Sequence, residues 1–162
     1  MIRPTLTAAA LLIASLIAAP GAGFACSIPD ASEALQAEAL KSVNAERAAH
    51  GLRALKFNRT LDKAAQGAAC DNANRHEITH VSSDGSHLRD RLHRVGYRFR
   101  SAAENTGRGF RSGTSAVQWW MHSPKHKANI LMSSVREIGI GIALSDAPDS
   151  KLHWILNMGE EK

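Results

Sequence analysis

Glu137-Ile138-Gly139-Ile140-Gly141-Ile142 and, a little further on, Leu152-His153-Trp154-Ile155-Leu156-Asn157-Met158 are the stretches whose reading decides the fold. In the first, bulky apolar side chains fall at 138, 140 and 142; in the second, at 152, 154, 156 and 158. A period of two puts each set on one face of an extended strand. Asp146-Ala147-Pro148-Asp149 lies between them and is rich in turn formers. The spacing therefore predicts an antiparallel hairpin, with residues 137–143 beside 151–158 and Ile140 and Trp154 on a buried face.

What precedes the hairpin reads mostly as helix. Asp30 or Ser32 is in place to cap a helix that runs to about His50, carries Leu35, Ala39, Val43 and Arg47 near one face, and stops at Gly51. Asn44 and Arg47, polar on or beside that face, read as a structural hydrogen-bonding pair that ties the helix to a neighbouring loop. Leu55-Lys56-Phe57 is a short extended link. Asn58 then caps a second helix, predicted to reach about Thr79, whose alanines at 64, 65, 68, 69 and 73 allow close packing. After the loop Val81–Gly85, residues 86–95 form a third helix with Leu88, Leu92 and Val95 inward. Tyr97 to Ala103 is the best earlier strand, and Gly107, Gly109 and Gly113 make a loop before a helix carrying Val117 and Trp120. Helices first and a hairpin last give an α+β class with a small antiparallel sheet. There are no internal repeats.

The chain has 162 residues and a formal net charge of +5. Met1-Ile2-Arg3, an apolar core from Leu6 to Ala19 and the small residues Gly23 and Ala25 read as a secretory signal over 1–25. Pro20 and Gly21 break the apolar run too early for a membrane anchor. Residues 26–162 are then one exported domain, secreted or periplasmic and not integral to the membrane. The basic balance suits an anionic cell envelope or lipid headgroups. Scattered cations with little aromatic interleaving argue against nucleic acid. Cys26 and Cys70 are the two cysteines, both past the predicted cut and in a compartment that permits a disulfide. Such a bridge would close a loop worth about 4 kcal/mol on the chain-entropy account. The rival reading makes Cys26 a lipid-modified first residue, which the bulky Phe24 fits poorly.

Trp119-Trp120-Met121-His122-Ser123-Pro124-Lys125-His126-Lys127-Ala128-Asn129-Ile130-Leu131 opens a helix at Ser123-Pro124, with Ser as cap and Pro at the first helical position. His126 falls in that first turn. Together with Asn44-Ala45-Glu46-Arg47, Gly51-Leu52, Leu55, His80, Gly96-Tyr97, Ala103-Glu104-Asn105 and Glu137-Ile138-Gly139-Ile140-Gly141, this stretch resembles the CAP superfamily of cysteine-rich secretory, antigen 5 and pathogenesis-related proteins, in its short bacterial form. Order and spacing agree from about Leu40 to Met158. The resemblance implies an α-β-α sandwich and one cleft that gathers His80, Glu104 and His126, with Asn44, Arg47, Asn105 and Asn129 structural. Where longer members carry a second acid, this chain has His122 or Ser123.

Two imidazoles and a carboxylate suit an open divalent-metal site, zinc by donor type, with His80 and His126 as the ligands. The plainer alternative is that the three groups hydrogen-bond one another and join three loops. A small lipid or cell-envelope molecule is the expected partner of the cleft, the domain is expected to be monomeric, and no catalytic residue is assigned. A second motif overlaps: His76-Glu77-Ile78-Thr79-His80 is H-E-x-x-H, the zinc helix of many metallopeptidases, with Glu77 as general base. A helix ending near Thr79 is short for that role, and His76 then reads as a surface residue one turn above His80. Ser123 with His126 lacks a Gly-x-Ser-x-Gly elbow. His87, His93 and His153 read as solvated or packing residues, and Tyr97, Trp119, Trp120 and Trp154 as core or cleft wall.

Overall fold

The structure, a computed structural model, describes residues 26–149 and 151–162. The leader read at 1–25 lies outside them. Along the chain run α1 (Ser32–Ala49), β1 (Lys56–Phe57), α2 (Arg59–Asn74), α3 (Leu88–Arg94), β2 (Phe99–Arg108), α4 (Gly113–His122), α5 (Pro124–Ile130), β3 (Glu137–Leu144) and β4 (Leu152–Glu161).

The antiparallel hairpin forms as expected, and its register sets Ile138 opposite Met158, Ile140 opposite Leu156 and Ile142 opposite Trp154. It is the centre of a four-stranded sheet ordered β1-β3-β4-β2. The class is α+β, but the sheet is mixed. β2 is antiparallel to β4, whereas β1 runs parallel to β3. The supposed link at Lys56-Phe57 is thus an edge strand, held by Asn44, whose side chain accepts from Leu55 N–H at 2.8 Å and donates to Leu55 C=O at 3.0 Å.

The two faces of β3 differ for a steric reason. Gly139 and Gly141 face α2 so closely that a Cβ on Gly141 would lie 2.2 Å from the Ala65 carbonyl oxygen, and one on Gly139 2.1 Å from the Asp62 nitrogen. The alanine-rich face of α2 lies against that side of the sheet, with Ala65, Ala68, Ala69 and Ala73 meeting Ala143 and Ile155. On the opposite face Ile138, Ile140 and Ile142 join Trp154, Leu156 and Met158 in the main core, packed on Ala39 and Val43 of α1, Val117 and Trp120 of α4, and Ile130 of α5. Helical layers on both faces of the sheet make the α-β-α sandwich. Cys26 and Cys70 are joined, with Cα atoms 5.2 Å apart, which staples the start of the described chain onto α2.

Several boundaries differ from the sequence expectation. α1 has Ala31 at its N-cap and no side-chain cap, so neither Asp30 nor Ser32 plays that part. α2 stops at Asn74, not near Thr79, because His76 takes a left-handed backbone, φ 56°. The amides of Arg75, His76 and Glu77 turn back onto the carbonyls of Asp71, Ala73 and Asn72, and the Asn72 side chain holds the Thr79 carbonyl. The third helix opens at His87, which forms a capping box with Asp90, rather than at Ser86. β2 runs on to Arg108, so Gly107 is a strand residue, and Gly113 begins α4. His153 is a buried histidine, 1% exposed: burial and the nearby Arg108 guanidinium, which donates to its Nε2, push it down to about 4, so it is neutral at physiological pH.

Candidate functional site: a histidine cleft stitched to the sheet

Glu104 lies inside β2, opposite Asn157 of β4, not past the end of a strand as the sequence suggested. It is 6% exposed, so its charge needs partners. Oε2 accepts from Arg91 Nη2 at 2.5 Å, a buried ion pair between α3 and the sheet. Asn157, with its amide nitrogen turned to Glu104, donates to the same oxygen at 3.0 Å while its carbonyl accepts from Ala65 N–H. Oε1 accepts from His80 Nδ1 at 2.9 Å. A carboxylate only accepts, so Nδ1 of His80 carries the proton. The carboxylate fixes the tautomer and leaves His80 Nε2 without a hydrogen-bond partner among the described residues, on a ring whose side chain is 55% exposed.

His126 enters from the first turn of α5. Together with His80, Glu104, Ser123, Lys125, Ala128 and Asn129 it lines an open cleft of about 480 Å³. Its Nδ1 is buried without a partner among the described residues. Its ring lies against Trp119, centroids 5.3 Å apart. Burial, with a smaller push from His80, lowers its pKa. The charge of Glu104 is already met by Arg91, so desolvation decides the direction for His126.

Asparagines hold these parts together. Asn129 donates to the Glu104 carbonyl at 3.1 Å and to Asn105 Oδ1 at 2.8 Å, and Asn105 donates to the His126 carbonyl at 3.1 Å. The far end of α5 is held by Arg47, fully buried, whose Nη1 donates to the carbonyls of Ile130 and Met132 and whose Nε donates to that of Arg53. Ser123 is the N-cap residue by backbone, but its hydroxyl makes no cap bond and lines the cleft instead. His122 is exposed, with Nδ1 bonded to the Gln118 carbonyl, so of the two residues read at the fourth place it is Ser123 that reaches the cleft.

The H-E-x-x-H residues do not share a helix face. His76 and His80 lie beyond the end of α2, so the one-turn spacing on a helix face is lost. His76 Nε2 bonds Asp146 at 2.7 Å and Glu77 pairs with Arg75, while His80 turns to Glu104. Among the described residues, no three His, Cys, Asp or Glu side chains are grouped as a metal-holding set.

Sequence reasoning missed Arg91 and Asn157. The signal for Arg91 was present: with Leu88, Leu92 and Val95 it completes the inward face of α3, and a charged residue on an inward face calls for a buried partner.

Residues 40–158 match the profile of the Cysteine-rich secretory protein family, CAP. The chain belongs to the CAP family. This CAP domain is 30% identical over 115 residues to the uncharacterized protein YkwD of Bacillus subtilis, a match that covers 71% of this chain and 45% of that protein. It thus spans less than half of YkwD. Among solved structures, an outer surface protein from Borrelia burgdorferi has a TM-score of 0.75 at 22% identity, covering 85% of this chain and 100% of that one. An extracellular SCP-domain protein from Bacillus anthracis has a TM-score of 0.71 at 23% identity, covering 80% of this chain and 41% of that one. At these identities the structural likeness shows the fold.

Proposed function

We propose that this CAP domain is an exported, non-catalytic module whose cleft binds a divalent cation, zinc by donor type, through His80 and His126. The observation that carries the reading is the chain Arg91–Glu104–His80, in which a buried ion pair holds a carboxylate that in turn orients an imidazole with its second nitrogen uncommitted. A carboxylate on the far nitrogen of a histidine ligand is the usual outer support of a metal site. Glu104 therefore acts as an orienting group, since both its oxygens already have partners. The unpartnered Nδ1 of His126 and the lowered pKa of that ring suit a second neutral nitrogen ligand. Water or substrate groups would complete the shell of such an open site.

A second lobe adjoins the first at His80, Glu104 and Asn129 and is walled by Leu88, Phe99, Ala102, Ala103 and Met132. Its apolar walls suit the aliphatic part of a small lipid or cell-envelope molecule. Export is supported by the leader composition and by the Cys26–Cys70 bridge, which belongs to an oxidising compartment. Among the described residues no helix is long and apolar enough to cross a membrane.

Zinc titration by calorimetry tests the reading. Wild type binds at about pH 7.5, and His80→Ala and His126→Ala each weaken binding by at least about tenfold, the scale on which an outer or inner ligand contact acts. Protons compete for the same nitrogens, so affinity falls as the pH drops, and because burial lowers the pKa of His126 its share of the loss sets in below the ordinary histidine range. Equal affinity in wild type and both variants removes His80 and His126 as ligands.

A further inference from the structure

No Asp or Glu occurs between Glu104 and Glu137, and that acid-free stretch forms α4 and α5. It carries Arg108, Arg111, Lys125, Lys127 and Arg136. Arg108 is held by Asp149, and Arg136 donates to the carbonyls of Ser133 and Val135. Arg111, Lys125 and Lys127 are exposed, and among the described residues none of them has a carboxylate partner. On a folded surface, unpaired cations are ordinary; here the Glu38 carboxylate of α1 accepts from the Gly113 and Thr114 amides at the start of α4, so the positive excess lies with Lys125 and Lys127 at the α5 end.

The same segment exposes an aromatic row. Trp119 is 48% exposed, while Trp120 beside it is fully buried. The Trp119 indole lies 5.4 Å from the Phe110 ring and 5.3 Å from the His126 ring. Those neighbours hold the indole in place, and a pre-oriented ring costs little further ordering when something stacks on it. Arg111 follows Phe110 in sequence, and Lys125 and Lys127 bracket His126, so each ring against Trp119 has a cation as its neighbour along the chain.

We propose that this row is a docking surface for an acidic glycan, a chain of pyranose rings bearing carboxylates. The apolar face of a sugar ring stacks on Trp119 while its carboxylates pair with Arg111, Lys125 and Lys127. Charge complementarity selects an acidic polymer over a neutral one. A lipid surface fits less well, because Trp119 is the one exposed large apolar side chain on α4 and α5; Ile28, Phe57, Ile78 and Val81 lie on other segments. Single-stranded nucleic acid fits less well because successive bases need successive aromatic platforms, and Phe110 and His126, the rings flanking Trp119, are each partly buried. The inference does not depend on the cation reading of the cleft.

The test uses oligogalacturonate as probe, with dextran of equal length as the neutral control and a chelator present throughout. The chain has three tryptophans, of which Trp120 and Trp154 are fully buried, so a fluorescence change on binding reports Trp119. Oligogalacturonate should change the emission and dextran should not. By calorimetry, Trp119→Ala should weaken binding about fivefold, and the double variant Lys125→Glu/Lys127→Glu on the order of tenfold, with the wild-type affinity falling as salt rises. All three residues are exposed or half-exposed, and circular dichroism checks that the variants stay folded. Equal binding of dextran, unchanged affinity in the variants, or tighter binding to phosphatidylglycerol vesicles or oligothymidylate than to oligogalacturonate overturns the proposal.

Discussion

Arg91→Ala lowers the unfolding free energy by about 3–5 kcal/mol, the cost of leaving one partner of a buried ion pair uncompensated. Glu104 is 6% exposed and depends on Arg91 for the cation at Oε2. Arg91 itself also donates to the carbonyls of His80 and Ser86, so its loss unpins the loop that carries His80 as well. Removing both charges is a different matter: Arg91→Met with Glu104→Met should recover part of the loss, because no uncompensated charge remains, while the bonds to the His80 and Ser86 carbonyls and from Asn157 stay lost. Urea unfolding of the two variants measures both effects. A loss below about 1 kcal/mol in Arg91→Ala would mean that the pair is solvated like a surface ion pair and that the buried support for His80 does not exist.

The second large effect is expected at the disulfide. Cys26 and Cys70 are separated by 44 residues, so reduction releases a long loop and should cost about 4 kcal/mol. Native contacts survive on either side of the bridge: the Ser27 carbonyl accepts from Leu144 N–H at 2.7 Å, and Gln66 bonds both ways with Ile142. The oxidised and reduced proteins should therefore share one fold and differ in stability. Denaturant unfolding with and without reductant, together with Cys26→Ser/Cys70→Ser, decides it. Equal midpoints in the two states would show that the tether constrains nothing the remaining contacts do not already hold.

The hairpin was legible because each of its strands repeats a bulky residue every second position, and the glycines between the isoleucines mark the face that α2 must approach. The bounds of β2 were not legible. Asn105, Thr106 and Gly107 show no alternation of their own, and they are extended because β4 supplies the backbone partners. β1 is two residues long, too short for any period, and pairs through Lys56 and Phe57 alone. The early stop of α2 turns on His76 in a left-handed conformation that histidine's propensity does not announce. In the cleft, His80, Glu104 and His126 were named from motif resemblance, and the structure sets them around one opening. Their division of labour depends on Arg91, from another helix, and no local spacing connects residues 91 and 104.

The most direct measurement of the central claim is zinc X-ray absorption on the loaded domain at neutral pH, which counts imidazole ligands without reference to stability. Two imidazoles at about 2.0 Å, reduced to one in either His80→Ala or His126→Ala, is the predicted result. A shell of oxygen ligands alone, or one unchanged by both substitutions, would contradict it.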